Sequence, residues 1–175
     1  KMDVVILCGG EGTRLSEETV MKPKPMVEIG GFPILLHIMK IYSHYGFKRF
    51  ILALGYKGDQ IKQYFCNYRL TSGDFRLKLN PDIVPTYFNH SDDRDWDITL
   101  VDTGQSTLKG GRIKRVEKYV ESDLVHLTYG DGVCNVDLNK LVQFHNSHGR
   151  IGTVTAVHPP SRFGEMAIEG DSVLE

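Results

Sequence analysis

The chain alternates short, continuously apolar runs with longer stretches whose apolar residues recur at helical spacing. Val4, Val5, Ile6 and Leu7 make one such run, and residues 50–54, 98–101 and 124–128 make three more. Apolar residues at successive positions, rather than at every second one, fit strands covered on both faces, as in the centre of a parallel sheet. Between the runs, Ile34, Leu35, Ile38, Met39 and Tyr42 form a helical stripe over residues 33–45, with Pro33 suited to the first turn and Gly46 to the stop. Ile61, Tyr64, Phe65 and Tyr68 predict a helix over 59–68 capped by Asp59. Ile113, Val116 and Val120 predict another over 112–120, and residues 137–148 a fourth, stopped by Gly149. Strands and helices in this alternation need crossover connections, and therefore a parallel sheet. Residues 75–79, 152–157 and 166–168 are further strand candidates, the last two separated by a turn through Pro159, Pro160 and Gly164. The pattern reads as α/β: a single domain with a mixed, mainly parallel sheet flanked by helices.

With 175 residues and 41% hydrophobic content, the chain is long enough to bury one substantial core. A net charge of −1 argues against a nucleic-acid partner, and the cations between Lys109 and Lys118 alternate with apolar residues as on the solvated face of a helix. No apolar stretch approaches the ~20 residues of a membrane span, and no signal peptide precedes the first strand, so a soluble, cytoplasmic protein without a membrane partner is expected. Cys8, Cys66 and Cys134 are odd in number and far apart, which fits reduced thiols rather than a disulfide framework or metal knuckle. Asp93, Asp95 and Asp97 imitate the start of a calcium loop. Ile98 replaces its required glycine and Gly104 its bidentate glutamate, so calcium is not expected there. His145 and His148, at i and i+3, read as solvated side chains rather than a metal pair.

The first apolar run breaks at Gly9, Gly10 and Gly12, which lets backbone N–H groups approach an anion closely. Arg14 adds a planar fork for phosphate oxygens. Lys22 and Lys24, separated by Pro23 and followed by Pro25, present two cations from an extended arm. The turn is not a P-loop, since no glycine-lysine-hydroxyl triplet is present, and not a dinucleotide fingerprint, since Leu15 stands where its third glycine belongs. A polyphosphate holder of another kind remains. A second turn, Tyr129-Gly130-Asp131-Gly132, follows the run at 124–128. Open parallel sheets bind ligands beyond the carboxyl ends of their strands, where the strand order reverses. If the two turns are neighbours there, Asp131 repels the phosphates unless a cation intervenes. Asp131 is then either an Mg2+ ligand or the organiser of a Gly-Asp-Gly turn.

Leu7-Cys8-Gly9-Gly10-Glu11-Gly12-Thr13-Arg14-Leu15, followed by Lys24-Pro25, resembles the L-x-G-G-x-G-T-R-L and K-P signature of the sugar-phosphate nucleotidyltransferases, or nucleoside-diphosphate-sugar pyrophosphorylases. The resemblance runs over essentially the whole chain. Val101-Asp102-Thr103-Gly104, Thr107 and Gly110-Gly111-Arg112 are similar to the cytidylyl-transferring branch. What this resemblance implies is a Rossmann-like nucleotidyltransferase fold and transfer of a cytidylyl group from CTP to a sugar 1-phosphate, glucose 1-phosphate in that branch, with Mg2+. It places Leu7, Cys8, Gly9, Gly10, Glu11, Gly12, Thr13, Arg14, Lys24, Thr107, Arg112 and Gly130 around the nucleotide, Thr107 and Arg112 by the base or its ribose. Arg14 and Lys24 would be the catalytic cations and Asp131 the metal ligand, in a homo-oligomer. Gly110 and Gly111 also fit a plain turn before a helix. Family chains continue beyond Glu175 with an E-K-P lysine for the sugar phosphate and a second metal-binding aspartate, so a C-terminally incomplete domain is expected. Two other readings stay open: a non-catalytic nucleotide-binding homologue, and a nucleotidyltransferase for dTTP, UTP or another sugar 1-phosphate.

Overall fold

In chain order, Asp3–Cys8 forms strand β1, buried at every position but Leu7. A 3-10 turn, Lys24–Met26, is followed by β2 (Glu28–Ile29), β3 (Phe32–Pro33), helix α1 (Ile34–His44), β4 (Arg49–Leu54), α2 (Gly58–Cys66) and the single turn α3 (Tyr68–Thr71). The small strands β5 (Phe75–Arg76) and β6 (Thr86–Tyr87) pair antiparallel. Then come β7 (Asp97–Asp102), α4 (Lys109–Val116) with a 3-10 extension Glu117–Tyr119, β8 (Val125–Tyr129), α5 (Leu138–His148), and the antiparallel pair β9 (Ile168–Glu169) and β10 (Ser172–Val173). The computed structural model describes residues 2–10, 22–79, 84–88, 95–157, 168–170 and 172–173. The chain divides into two compact units, Lys1–Leu138 and Asn139–Glu175.

The first unit is built on four parallel strands in the order β7-β4-β1-β8. Asp3 stands opposite Arg49 on one side and Val125 on the other, and Cys8 opposite Leu54. From β1 the chain winds outward through β4 to β7, then returns to the other edge of β1 as β8. The winding therefore reverses between β1 and β8, which is where an open α/β sheet leaves a crevice beyond its strand ends.

Both sheet faces are covered, which is why the strands read as unbroken apolar runs. Val4, Ile6, Phe50 and Leu52 pack with Leu35, Ile38 and Met39 of α1 and Ile61 of α2. Val5, Ile51, Ala53 and Val101 pack on the other side with Val116 of α4. Each fully buried Val, Leu, Ile, Phe or Met side chain among them stabilises the fold by about 1.5–3 kcal/mol. At the amino end of the sheet the Asp3 carboxylate is fully buried. It accepts the N–H groups of Glu121 (2.8 Å) and Ser122 (3.2 Å) and lies 3.5 Å from Arg49 Nε. These contacts fix the connection between α4 and β8, and so the entry of β8 beside β1.

Several local expectations change. Lys57, in the left-handed region at φ 51°, precedes α2, and Asp59 lies in its first turn, where a carboxylate still favours the helix dipole. Helix α4 begins at Lys109, so Gly110 and Gly111 are helical rather than a turn before Arg112. The strand expected over 75–79 is reduced to Phe75–Arg76. Residues 152–157 form no strand, because alternating apolar positions specify one only beside a partner edge, and among the described residues none pairs with them. Of the expected strand 166–168, residues 166 and 167 lie outside the described residues. Asp95 pairs with Lys48, and Asp97 lies 3.5 Å from Arg49 Nε. In the second unit, His145 Nδ1 and His148 Nε2 both bond the Thr153 hydroxyl, at 2.9 and 2.8 Å.

His126 of β8 is buried, its ring edge-on to Phe47 (4.4 Å) and Tyr42 (5.3 Å), with no partner for Nε2 among the described residues. Burial pushes its pKa below the ordinary value of about 6.5. Below that value the unfolded chain takes up a proton that the folded chain resists, so this group's contribution to stability is lost as pH falls through about 6.5. His126→Phe is expected to reduce the stability difference between about pH 5.5 and about pH 7.5, measured by urea unfolding. An unchanged difference would show that the acid sensitivity arises elsewhere.

Candidate active site

The carboxyl ends of β1 and β8 meet at the reversal of the sheet. Gly130, directly after β8, donates its N–H to the Leu7 carbonyl at 3.0 Å and so extends the contact between the strands past the last regular pair. A Cβ on Gly130 would stand 2.9 Å from Cys8 Sγ and 3.1 Å from Pro25 Cγ. The missing side chain thus lets three segments converge: the end of β1, the lysine-proline arm and the turn carrying Asp131. Gly130→Ala is expected to destabilise the protein by about 1–3 kcal/mol through overpacking. Cys8→Ala in the same chain should recover part of that loss by removing the nearer atom. Unfolding midpoints of the two variants check this, and an unperturbed Gly130→Ala would contradict the close approach.

The arm is not fully extended. Pro23 leads in with extended backbone, and Lys24–Met26 closes as a 3-10 turn through bonds from Met26 N–H to Pro23 O (2.8 Å) and Val27 N–H to Lys24 O (3.1 Å). Pro25 and Met26 are buried, which anchors the turn and sets the direction of the preceding Lys24 stem. Lys24 Nζ lies 3.7 Å from Asp131 Oδ2, whereas Lys22 turns to Glu28 at 2.6 Å. The structure therefore separates the two lysines, and Lys24 faces the turn after β8.

Cys8 is fully buried beneath this junction. Burial above all, then the Asp131 carboxylate, pushes its thiol pKa up, against a smaller opposing effect of Arg112. A thiol so placed stays protonated and is no nucleophile. Gly9 and Gly10 continue from it. Among the described residues a Cβ on Gly10 would meet nothing within 4 Å, whereas a Cβ on Gly9 would run into Arg112. Glu11, Gly12, Thr13 and Arg14 lie outside the described residues.

The loop after β7 is braced from α4. Gly104 N–H donates to the Asp102 carboxylate (2.8 Å), and Arg115 Nη1 donates to the Thr103 carbonyl (2.5 Å) and the Thr107 hydroxyl (2.6 Å). Arg112, expected beside the base or its ribose, is 5% exposed, with its terminal nitrogens bonded to Gly9, Leu54, Thr103, Gly104 and Gln105. A charged residue on a short helix reads from sequence as solvated. The signal that could have revealed its burial is a glycine immediately after both β1 and β4. A Cβ on Gly9 or Gly55 would fall 2.2 or 2.4 Å from the guanidinium.

For a metal, the donor chemistry present is the half-exposed Asp131 carboxylate. Among the described residues no three His, Cys, Asp or Glu side chains cluster as a metal cage. One half-exposed carboxylate fits a hard cation that takes its remaining ligands from water and phosphate, as Mg2+ does. Separately, a cavity of about 620 Å³ lies against α1 and the segment after Asp131, lined by Ile29, His37, Lys40, Val133, Cys134 and Asn135 among others. Among the described residues no helix is long and apolar enough to cross a membrane.

A parallel sheet that reverses its winding between β1 and β8, with its candidate site at that reversal, defines a Rossmann-like α/β protein. Residues 3–175 match the family model described as Nucleotidyl transferase, and the chain belongs to that family. It is 51% identical over 173 residues to glucose-1-phosphate cytidylyltransferase of Salmonella typhi, an alignment covering 98% of this chain and 66% of the relative. It is 44% identical over 168 residues to probable glucose-1-phosphate cytidylyltransferase of Bacillus subtilis (strain 168), covering 96% of this chain and 65% of that one. The chain thus spans just under two thirds of the length of these curated relatives. Among solved structures, HddC from Yersinia pseudotuberculosis complexed with GMP-PN matches with a TM-score of 0.61 and 28% identity, over 83% of this chain and 54% of that chain. The expected Rossmann-like, mainly parallel nucleotidyltransferase fold is borne out.

Proposed function

We propose that this chain carries the nucleotide site of a glucose-1-phosphate cytidylyltransferase, which joins CTP and glucose 1-phosphate to give CDP-glucose and pyrophosphate. The observation that supports the site most strongly is the convergence of the end of β1 at Leu7 and Cys8, the Lys24-Pro25 arm and the Gly130-Asp131 turn at the sheet reversal; the 51% identity supports the choice of substrates. A phosphate oxygen of glucose 1-phosphate attacks the α-phosphorus of CTP in line. The α–β bridging bond breaks, and its electron pair leaves with pyrophosphate. Such transfers depend on positioning and charge neutralisation more than on covalent help from the protein.

In this reading the backbone from Leu7 and Cys8 through Gly9, Gly10, Glu11, Gly12 and Thr13 cradles the nucleotide, and Gly130 holds the loop against β8. Lys24 neutralises the α-phosphate, and Arg14 stabilises the leaving pyrophosphate. The Thr107 hydroxyl, which accepts from Arg115, keeps a proton to donate to an acceptor edge of the cytosine. Asp131 would hold Mg2+, which when bound neutralises phosphate charge and orients the triphosphate. A reaction drawing on CTP belongs in the cytoplasm, and family resemblance supports a homo-oligomer. Product formation by the complete natural polypeptide with Mg2+, glucose 1-phosphate and either CTP, dTTP or UTP tests the reading. CDP-glucose from CTP in strong preference is expected. Preference for dTTP or UTP would overturn the base assignment, and CTP binding without turnover would make the protein a non-catalytic binder.

A further inference from the structure

We propose that Arg112 is a positioning residue, a guanidinium clamp that holds the phosphate loop from behind and shapes it for the triphosphate without reading the base. This inference rests on the nucleotide site proposed above. Arg112 Nη2 donates to the carbonyls of Gly9 and Gln105, both at 2.9 Å. Its Nη1 lies 3.0 Å from the Leu54 carbonyl, 2.7 Å from Thr103 Oγ1 and 2.8 Å from the Gly104 carbonyl. Two terminal nitrogens carry four N–H bonds, so five acceptors require at least one to be shared.

These acceptors lie just beyond, or at the last residue of, β1, β4 and β7. One side chain from α4 thus ties together three of the four strand ends that floor the crevice. Thr103 completes the tie, because its hydroxyl accepts from Arg112 and donates to the Leu54 carbonyl at 2.5 Å. Each acceptor is uncharged, and among the described residues Arg112 has no carboxylate in ion-pair contact. The Asp102 carboxylate offsets part of its charge from a distance, and the guanidinium sits directly behind the Gly9 peptide. Drawing the Gly9 carbonyl backward fixes the peptide plane between Gly9 and Gly10, while the cation behind it favours an anion in front. Lysine would supply the charge but not the planar fork that reaches several carbonyls at once.

The test compares Arg112→Lys and Thr103→Val with the parent in the complete natural polypeptide, measuring calorimetric binding of CTP, UTP and inorganic triphosphate, with thermal unfolding in parallel. Arg112→Lys is expected to weaken CTP and inorganic triphosphate alike by about tenfold or more and to leave the CTP to UTP ratio unchanged. Thr103→Val, which keeps the cation and removes one acceptor, should show a smaller loss of the same kind. It decides the matter should the lysine variant not fold. Folded variants that bind triphosphate as the parent does would overturn the clamp, since a merely structural role lowers stability without changing the affinity of the folded fraction. Loss of the CTP preference with unchanged triphosphate binding would overturn it in favour of base contact. A parent that binds neither CTP nor triphosphate would overturn the cytidylyltransferase reading itself, and the clamp with it.

Discussion

Asp131→Asn is expected to lower turnover by two to three orders of magnitude, on the scale seen when one electrostatic contact to a transferring group is removed, while having opposite effects on CTP binding with and without Mg2+. The Asp131 carboxylate lies in the turn after β8, beside Lys24 and near the buried Cys8 at the end of β1. Without a divalent cation it opposes an arriving triphosphate, so its neutral isostere should bind CTP more tightly. Two unit charges at contact distance in a half-exposed setting are worth on the order of 1 kcal/mol, or several-fold in affinity. With Mg2+ present the order reverses, because the wild-type carboxylate becomes a ligand and asparagine is a poorer one. Titration of CTP into both proteins, with and without Mg2+, reads this crossing directly. Parallel shifts would instead assign Asp131 to the turn alone.

Lys24→Met is expected to reduce kcat by about 100-fold or more, with little change in the KM for the sugar phosphate. Methionine retains most of the apolar stem between the buried Pro25 and Met26 flank and the crevice, so the packing of the 3-10 turn should survive the loss of charge. The effect then reports on the ammonium group, whose nearest anion in this structure is Asp131 at 3.7 Å. A loss confined to KM would mean that Lys24 binds ground state and transition state equally and does not favour the displacement. The corresponding change at Lys22, which is exposed and paired with Glu28, provides the control and should be nearly silent.

Much of the fold was legible because parallel strands covered on both faces leave an unmistakable pattern. The runs beginning at Val4, Phe50, Ile98 and Leu124 became β1, β4, β7 and β8 with shifts of one residue at most positions. The stripe from Ile34 to Tyr42 became α1, ending before Gly46 at φ +86°. Short strands were less legible, since residues 75–79 and 152–157 depend on a partner edge that local sequence does not specify. At the candidate site, the juxtaposition of the Gly9 and Gly130 turns followed from topology alone. The separation of Lys24 from Lys22 did not, because it depends on where the buried Pro25 and Met26 seat the turn. Arg112 was read as a nucleotide contact on resemblance, and its neighbourhood as a solvated helix face on charge pattern. Its five protein acceptors come from segments up to 103 residues away, a tertiary arrangement invisible to periodicity.

Hydrogen–deuterium exchange of the complete natural polypeptide with and without CTP and Mg2+ tests the location of the site most directly. The expected result is slowed exchange in peptides covering Leu7 to Gly10, Lys24 to Met26 and Tyr129 to Gly132. Protection confined to the cavity lined by Ile29, His37 and Val133, with the β1 and β8 turns unchanged, would contradict a phosphate site at the reversal of the sheet.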